Sequence, residues 1–324
     1  MTAPGSPAKP GSPTQRGTPA LAGPGNPALT GPIRRIGVVL RRRSPDAPAT
    51  INRLVALCEG RDVSLAFESG SAGIPEGATQ VDLESEPLDL LLALGGDGTM
   101  LRAARLGMES DIPIFGVNLG RLGFLTTTPE SELEAGLSAV LDGKAFLDRR
   151  FTLTAMVEKH GEAAAGPFVA LNDIVVHQSG VARVAPLSLS VGRPDGPEEI
   201  GSFSGDGVIF ATPTGSTAYS LSAGGPIVVP DVECMVVTPI CPHSLAVRPL
   251  VMPANECVMV TALDGGEGVQ LTVDGQVERA LVSEEVVLVT RGEHEVSLVQ
   301  LPGQSFLDTV RRKLNWALRA PERS

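Results

Sequence analysis

Residues 95–99 read Gly95-Gly96-Asp97-Gly98-Thr99. They constrain the fold because their two flanks are of opposite kinds. Before them runs Leu88-Asp89-Leu90-Leu91-Leu92-Ala93-Leu94, a short apolar run that reads as a buried strand. After them Met100–Leu106 reads as a helix closed by Gly107. Glycines let backbone come close to a ligand. A helix start offers unpaired N–H groups and a partial positive charge, which suits phosphate. Asp97 is therefore a carboxylate in a place suited to anions. Two readings fit: a group that handles a proton or hydroxyl beside a phosphate, or a tight turn with Asp as helix cap.

The strand–turn–helix unit is repeated around this turn. Arg35-Ile36-Gly37-Val38-Val39-Leu40 reads as a first strand. Ile51, Leu54, Val55 and Cys58 then share one helix face, and Val63–Phe67 and Ile112–Val117 are further strands. Pro129 starts a helix that turns Leu133, Leu137, Val140 and Leu141 inward and ends at Gly143. Alternation of this kind predicts an α/β amino-terminal domain with a Rossmann-like parallel sheet over residues 33–147. From Phe151 the period changes to two: Leu153/Ala155/Val157, Leu187/Leu189/Val191 and Val269/Leu271/Val273 alternate. Val286–Thr290 and Glu295–Leu301 read as two more short strands. An all-β sandwich is expected over residues 148–303. The end of the chain, 304–324, carries Phe306, Val310 and Leu314 at spacing four and is expected to pack back on the α/β domain. Residues 1–32, rich in Pro, Gly, Ala, Ser and Thr, read as a disordered tail without the apolar stretch of a secretory signal.

With 324 residues, two domains are expected, and with aromatic residues at only 3% their cores must be aliphatic. A net charge of −11 argues against a nucleic-acid partner. No apolar run reaches membrane-spanning length. Cys58, Cys234, Cys241 and Cys257 form no C-x-x-C pair and read as reduced thiols of a cytoplasmic protein. The four histidines make no metal-ligand pattern, so no dedicated metal site is expected. Arg41-Arg42-Arg43, at a strand's carboxyl end, reads either as a phosphate-attracting edge or as solvated charge.

A second glycine-rich stretch runs from Gly205-Asp206-Gly207 through Thr212-Pro213-Thr214-Gly215-Ser216-Thr217-Ala218-Tyr219-Ser220. A strand leads into a turn dense in hydroxyls and backbone donors, able to grip ribose and phosphate oxygens or to serve as an ordinary polar connection. It lacks the Gly-Lys-Ser/Thr of a Walker A loop, and Gly96-x-Gly98 does not extend to a Rossmann fingerprint because position 101 is Leu.

Taken together, the Gly-Gly-Asp-Gly-Thr turn, Asn172-Asp173 and the Asp206–Ser220 stretch resemble the NAD kinase family. Asn118–Leu125, Leu221–Pro226, Pro242-His243-Ser244-Leu245, Arg248-Pro249 and Asp274-Gly275-Gln276 add to the resemblance, which covers about residues 33–316. It implies transfer of the terminal phosphoryl of ATP (or another nucleoside triphosphate or polyphosphate) to the 2′-hydroxyl of NAD's adenosine ribose, giving NADP. It implies that Asp97 orients that hydroxyl and accepts its proton, with Gly96, Gly98 and Thr99 facing phosphate. Asn172 and Asp173 would hold the adenosine end of NAD. Asp173 stands where the family has Glu, one methylene longer. Asp206 would reach the nicotinamide amide, and Thr214, Ser216, Thr217, Ala218 and Tyr219 would form the dinucleotide loop. Ser204 takes the place of a basic residue found in some members, so phosphate charge must be met elsewhere, with Arg121, Arg248 and Arg41–Arg43 as candidates. His243 resembles a family histidine near the site, or is structural. The resemblance also implies Mg²⁺ or another divalent cation with ATP, and a homodimer or homotetramer whose sites are completed across an interface. Two alternatives share parts of the pattern: a lipid or sugar kinase with the same Gly-Gly-Asp-Gly turn, and a non-catalytic NAD(H)-binding regulator. The Thr212–Ser220 run argues against the first and an intact Asp97 and Asn172 against the second.

Overall fold

The computed structural model describes residues 26–41, 47–180, 184–263 and 268–316. The first half runs β1 (Arg35–Leu40), α1 (Ala47–Glu59), β2 (Ser64–Glu68), β3 (Gln80–Val81), β4 (Leu90–Gly95), α2 (Asp97–Gly107), β5 (Ile114–Asn118), β6 (Thr128–Pro129) and α3 (Leu133–Leu141). The second runs β7 (Phe146–Glu158), β8 (Ala165–Ala170), β9 (Asp173–Gln178), β10 (Ala185–Val191), β11 (Glu198–Gly205), β12 (Gly207–Ala211), α4 (Tyr219–Ser222), β13 (Cys234–Ile240), β14 (Leu250–Pro253), β15 (Val258–Ala262), β16 (Val269–Val273), β17 (Val277–Ala280), β18 (Val286–Gln300) and α5 (Phe306–Leu314).

In the first half the parallel strands lie in the order β5-β4-β1-β2-β3. All six residues of β4 are buried, as expected for a strand covered on both faces. Ile51, Leu54 and Cys58 of α1 and Leu133, Leu137 and Val140 of α3 close one face, and Met100, Ala103 and Ala104 of α2 the other. The chain steps from β1 outward to β2 and β3, then returns to the other side of β1 to make β4. The order therefore reverses between β1 and β4, and a crevice at such a reversal is where open α/β sheets bind ligands. The Gly95–Thr99 turn leaves β4 at this point. Arg41 leaves β1 beside it, its N–H donating to Leu94 O at 2.8 Å.

The second half is a sandwich. A six-stranded antiparallel sheet, β14-β13-β12-β9-β16-β17, faces the strands β11-β10-β15-β18 with β7 and β8. Leu153, Ala155 and Val157 of β7 and Leu187 and Leu189 of β10 meet Val208 and Phe210 of β12 and Leu271 and Val273 of β16 in one core. The period-two alternation arises because each of these strands buries a single face.

Three expectations need correction. Val286–Thr290 and Glu295–Leu301 are one strand, β18, interrupted only by an irregularity between Arg291 and Glu295. It pairs with β7 along its length and, through Leu298 beside Ile114, joins the parallel sheet to the sandwich as one twelve-stranded sheet. The polar turn in its sequence is a bend within a ladder. Helix α2 begins at Asp97 rather than Met100. The end of the Pro/Gly-rich segment is ordered: Ala28 bridges Phe146, Leu29 N donates to Ala145 O at 2.9 Å, and the Leu29 side chain is buried in the α/β core. Composition hides a single core leucine among small residues. The first 25 residues, and Arg42 and Arg43, lie outside the described residues.

Candidate active site

At the β4–α2 turn, Gly96 caps the helix in an extended conformation without a side-chain cap bond. Asp97 is the first helical residue, and its carboxylate turns to the loop between β5 and β6. Oδ2 accepts the N–H of Phe124 at 2.8 Å. Oδ1 accepts those of Leu125 at 3.0 Å and Thr126 at 3.1 Å, and the Thr126 hydroxyl at 3.2 Å. A carboxylate offers about four lone-pair sites. Oδ1 is fully engaged and Oδ2 keeps a lone pair for one more donor. Asn118 shapes the loop: its Oδ1 accepts Gly120 N–H at 2.7 Å, and its Nδ2 donates to Arg121 O at 2.7 Å and Thr126 Oγ1 at 2.8 Å. Only glycine fits at position 123, where a Cβ would stand 1.9 Å from Asp97 Oδ1.

A second carboxylate organises the sandwich edge. Asp274, in the β16–β17 turn at φ +50°, accepts the N–H groups of Leu171 at 2.9 Å, Asn172 at 2.7 Å and Asp173 at 3.1 Å. Thr212 fastens the loop after β12 to the same corner, its N–H on Asn172 O at 2.9 Å and its hydroxyl on Leu171 O at 2.6 Å. Gly215 packs so closely there that a Cβ would lie 2.0 Å from Asn172 O. A cavity of about 370 Å³ opens on Asn172, Asp173, His177, Ala218, Tyr219 and Asp274. A second, of about 380 Å³, shares His177 and Tyr219 and extends to Asp206. His177 Nε2 is paired with Thr272 Oγ1 at 2.8 Å, which fixes its ring. Gly275 lines the first cavity, and the next residue, Gln276, donates its Nε2 to Gly98 O in the first turn of α2 at 3.1 Å.

Electrostatics distinguish the two cleft carboxyl groups. Burial, and then the nearby charge of Asp274, push Asp173 up to about 7. Burial raises Asp274 as well, but three backbone N–H donors oppose the shift. The three N–H donors favour the charged form of Asp274, and the charge of Asp274 disfavours that of Asp173. Burial also raises the Tyr219 hydroxyl, and the Asp206 carboxylate, as a hydrogen-bond partner, raises the Cys241 thiol.

The loop after β12 divides into scaffold and surface. Ser216 is fully buried and spends its hydroxyl on Pro213 O at 2.6 Å, while accepting Val228 N–H at 3.0 Å. Thr214 is also buried, and its Oγ1 accepts from Arg150 Nη1 at 3.1 Å. Neither residue lines the cavity, because a Ser/Thr-rich turn satisfies its own backbone first. Thr217 likewise donates to Thr214 O at 3.1 Å. Ala218 and Tyr219 are the loop residues that line the cavity. Arg150 is itself held by a buried ion pair with Asp148, Nε to Oδ1 at 2.8 Å.

The remaining cations are dispersed. Arg121 is exposed on the loop that grips Asp97. Arg248 donates to Leu245 O and Val247 O and borders a different, apolar cavity with Leu189, Phe203 and Val237, so the fold does not bring it to the Gly96–Thr99 turn. His243 is exposed and contributes its backbone N–H to Ser204 O at 2.9 Å.

Residues 75–145 match the ATP-NAD kinase N-terminal domain and residues 171–301 the ATP-NAD kinase C-terminal domain. The chain is 44% identical over 282 residues to the NAD kinase of Gemmatimonas aurantiaca, covering 87% of this chain and 96% of that one. It is 40% identical over 290 residues to that of Syntrophotalea carbinolica, covering 89% and 100%. The chain belongs to the NAD kinase family. Among solved structures, yeast NADH kinase complexed with NADH superposes with a TM-score of 0.81 at 24% identity, over 94% of this chain and 95% of that one. An NAD kinase from Archaeoglobus fulgidus in complex with ATP gives 0.67 at 25% identity, over 87% and 97%.

Membership in the NAD kinase family sets aside the lipid- and sugar-kinase reading. Sequence reasoning gave no role to His177 or to the Asp148–Arg150 pair, and placed Asp274 only within the Asp274-Gly275-Gln276 resemblance. His177 is one polar residue on an otherwise apolar strand, and nothing local marks it. Arg150 and Asp148 lie two apart on one strand face, and nothing in their neighbours marks them as a buried pair. Asp274 carried one usable signal: an Asp-Gly turn between two alternating segments places its side chain where it can accept backbone N–H groups.

Proposed function

We propose that this protein transfers the terminal phosphoryl group of ATP to the 2′-hydroxyl of the adenosine ribose of NAD, giving NADP and ADP. The observation that carries this reading is the turn Asp274–Gln276, whose Asp274 and Gly275 line the Asn172–Tyr219 cleft and whose Gln276 bonds Gly98 at the amino end of α2. The hydroxyl oxygen attacks the terminal phosphorus, the bond to the bridging oxygen of ADP breaks, and the hydroxyl proton passes to Asp97 Oδ2, the oxygen with a lone pair to spare. Asn172, Asp173, Ala218 and Tyr219 hold the adenosine end, and Asp206, beyond Tyr219, takes the nicotinamide amide. Gly96, Gly98 and Thr99 face the phosphates, and Arg41 and Arg121 supply the positive charge that Ser204 does not. Neither arginine makes an ion pair among the described residues.

A divalent cation enters with ATP as part of the substrate. Among the described residues no three His, Cys, Asp or Glu side chains come together. A donor set of phosphate oxygens and water, with at most one or two carboxylates, suits Mg²⁺. The working form is a homodimer or homotetramer with sites completed across the interface, and its setting is the cytoplasm. No helix among the described residues is long and apolar enough to cross a membrane.

The test is incubation with NAD, ATP and Mg²⁺, with NADP detected by a strictly NADP-specific dehydrogenase. NADP should accumulate in proportion to enzyme. NAD binding without NADP would reject the catalytic reading in favour of a regulator.

A further inference from the structure

Phe124 joins the proposed base to the carboxyl-terminal helix. Among the described residues its backbone N–H is the single donor on Asp97 Oδ2, at 2.8 Å. Its ring is held from α5 at two points. The Phe306 ring lies with its centroid 6.4 Å away, and Lys313 Nζ stands 4.4 Å from the centroid of Phe124. Phe306 and Lys313 are seven residues apart, two helical turns, and so share a face. The helix that carries them is firmly set. Ser305 Oγ caps its amino end by accepting Asp308 N–H at 3.1 Å, and Val310 is buried. Just before it, Gln304 Nε2 donates to Thr128 Oγ1 at 3.1 Å, at the far end of the loop that holds Asp97.

We infer that α5 is a positioning element of the phosphoryl transfer: by gripping Phe124 it holds the loop that orients the Asp97 carboxylate, so Phe306 and Lys313 set turnover without touching either substrate. This rests on Asp97 being the proton acceptor. A carboxylate misplaced by a fraction of an ångström loses rate while substrate binding persists.

The test uses the full chain with Lys313→Ala and, separately, Phe306→Leu. Lys313 is exposed, so its truncation leaves folding intact, which the unfolding midpoint and the fluorescence of Trp316, the single tryptophan, verify. The expected result is a fall in kcat of about three- to tenfold with KM for NAD and for ATP within about twofold. Lys313→Arg, which keeps a cation over the ring, should restore kcat. In an Asp97→Asn background, Lys313→Ala should cause no further loss. A raised KM for ATP in its place would make Lys313 a phosphate contact and overturn the inference. Additive losses in the double variant, or unchanged kcat in both single variants, would also overturn it. Wild-type turnover in Asp97→Asn alone would remove the proton-acceptor reading itself, whichever way the α5 variants behave.

Discussion

Asp274 reaches back 101 residues to accept the N–H of Asp173 at 3.1 Å, and the negative charge it brings helps to keep its neighbour protonated. Asp173 titrates at about 7 in the fold, against about 3.9 in an unfolded chain. Between those values the folded state binds the extra proton. This contribution to stability is therefore complete below about pH 4 and is lost as pH rises through 7. Asp173→Asn removes the titration. It should raise the unfolding midpoint at pH 8 by about 2–6 °C and flatten the dependence between pH 5 and 7. Calorimetric scans across that range decide it. An unchanged slope would show that Asp173 is ionised throughout.

Asp97→Asn keeps the shape of the side chain but cannot take a proton. Its kcat should fall by about 10²–10⁴-fold, the usual scale for lost acid–base help. NAD affinity, measured by titration calorimetry, should stay within about threefold, because the cleft residues are untouched.

Gly123→Ala tests the fit of the loop on Asp97. The added methyl would stand 1.9 Å from Oδ1 and 2.5 Å from Thr126 Oγ1, so loop and carboxylate must separate. Overpacking of this kind costs about 1–3 kcal/mol. Turnover should drop by roughly 10²-fold through misplacement of the carboxylate. Denaturant unfolding and steady-state kinetics measure the two effects separately.

Arg150→Met leaves Asp148 as a buried charge with, among the described residues, only Gln300 as its side-chain partner. Breaking a buried pair from one side costs about 3–5 kcal/mol. The double variant Asp148→Leu/Arg150→Met should regain most of that stability. In both, Thr214 loses its donor, so KM for NAD should rise through the loosened Thr212–Tyr219 loop. A single variant as stable as the wild type would assign the pair no structural role.

Much of the fold was legible because its signals are local. Leu90–Leu94 is buried on both faces and therefore uninterrupted by polar residues. β10 and β16 bury one face and therefore alternate. Ile51, Leu54 and Cys58 repeat at helical spacing because α1 has one side against the sheet. The continuity of β18 was not legible, since an Arg-Gly-Glu-His stretch reads as a turn unless a partner strand is known to run past it. β7 supplies that partner on both sides of the irregularity.

For the site, the amino-acid sequence by itself determined the chemistry on offer: a carboxylate in a glycine turn at a helix start, an Asn-Asp pair, and a polar loop after a strand. These are properties of neighbouring residues. Tertiary structure alone decided how that chemistry is aimed. It turned Asp97 onto N–H groups 27 to 29 residues away, leaving Oδ2 a lone pair, and buried Asp173 beside Asp274, which together raise the Asp173 carboxyl. It faced Ser216 inward and Tyr219 outward, and sent Arg248 to another cavity. The physical reason is that hydrogen-bond partners and burial depend on which segments meet. That is set by strand order and by packing across the whole sheet, beyond the reach of any local periodicity.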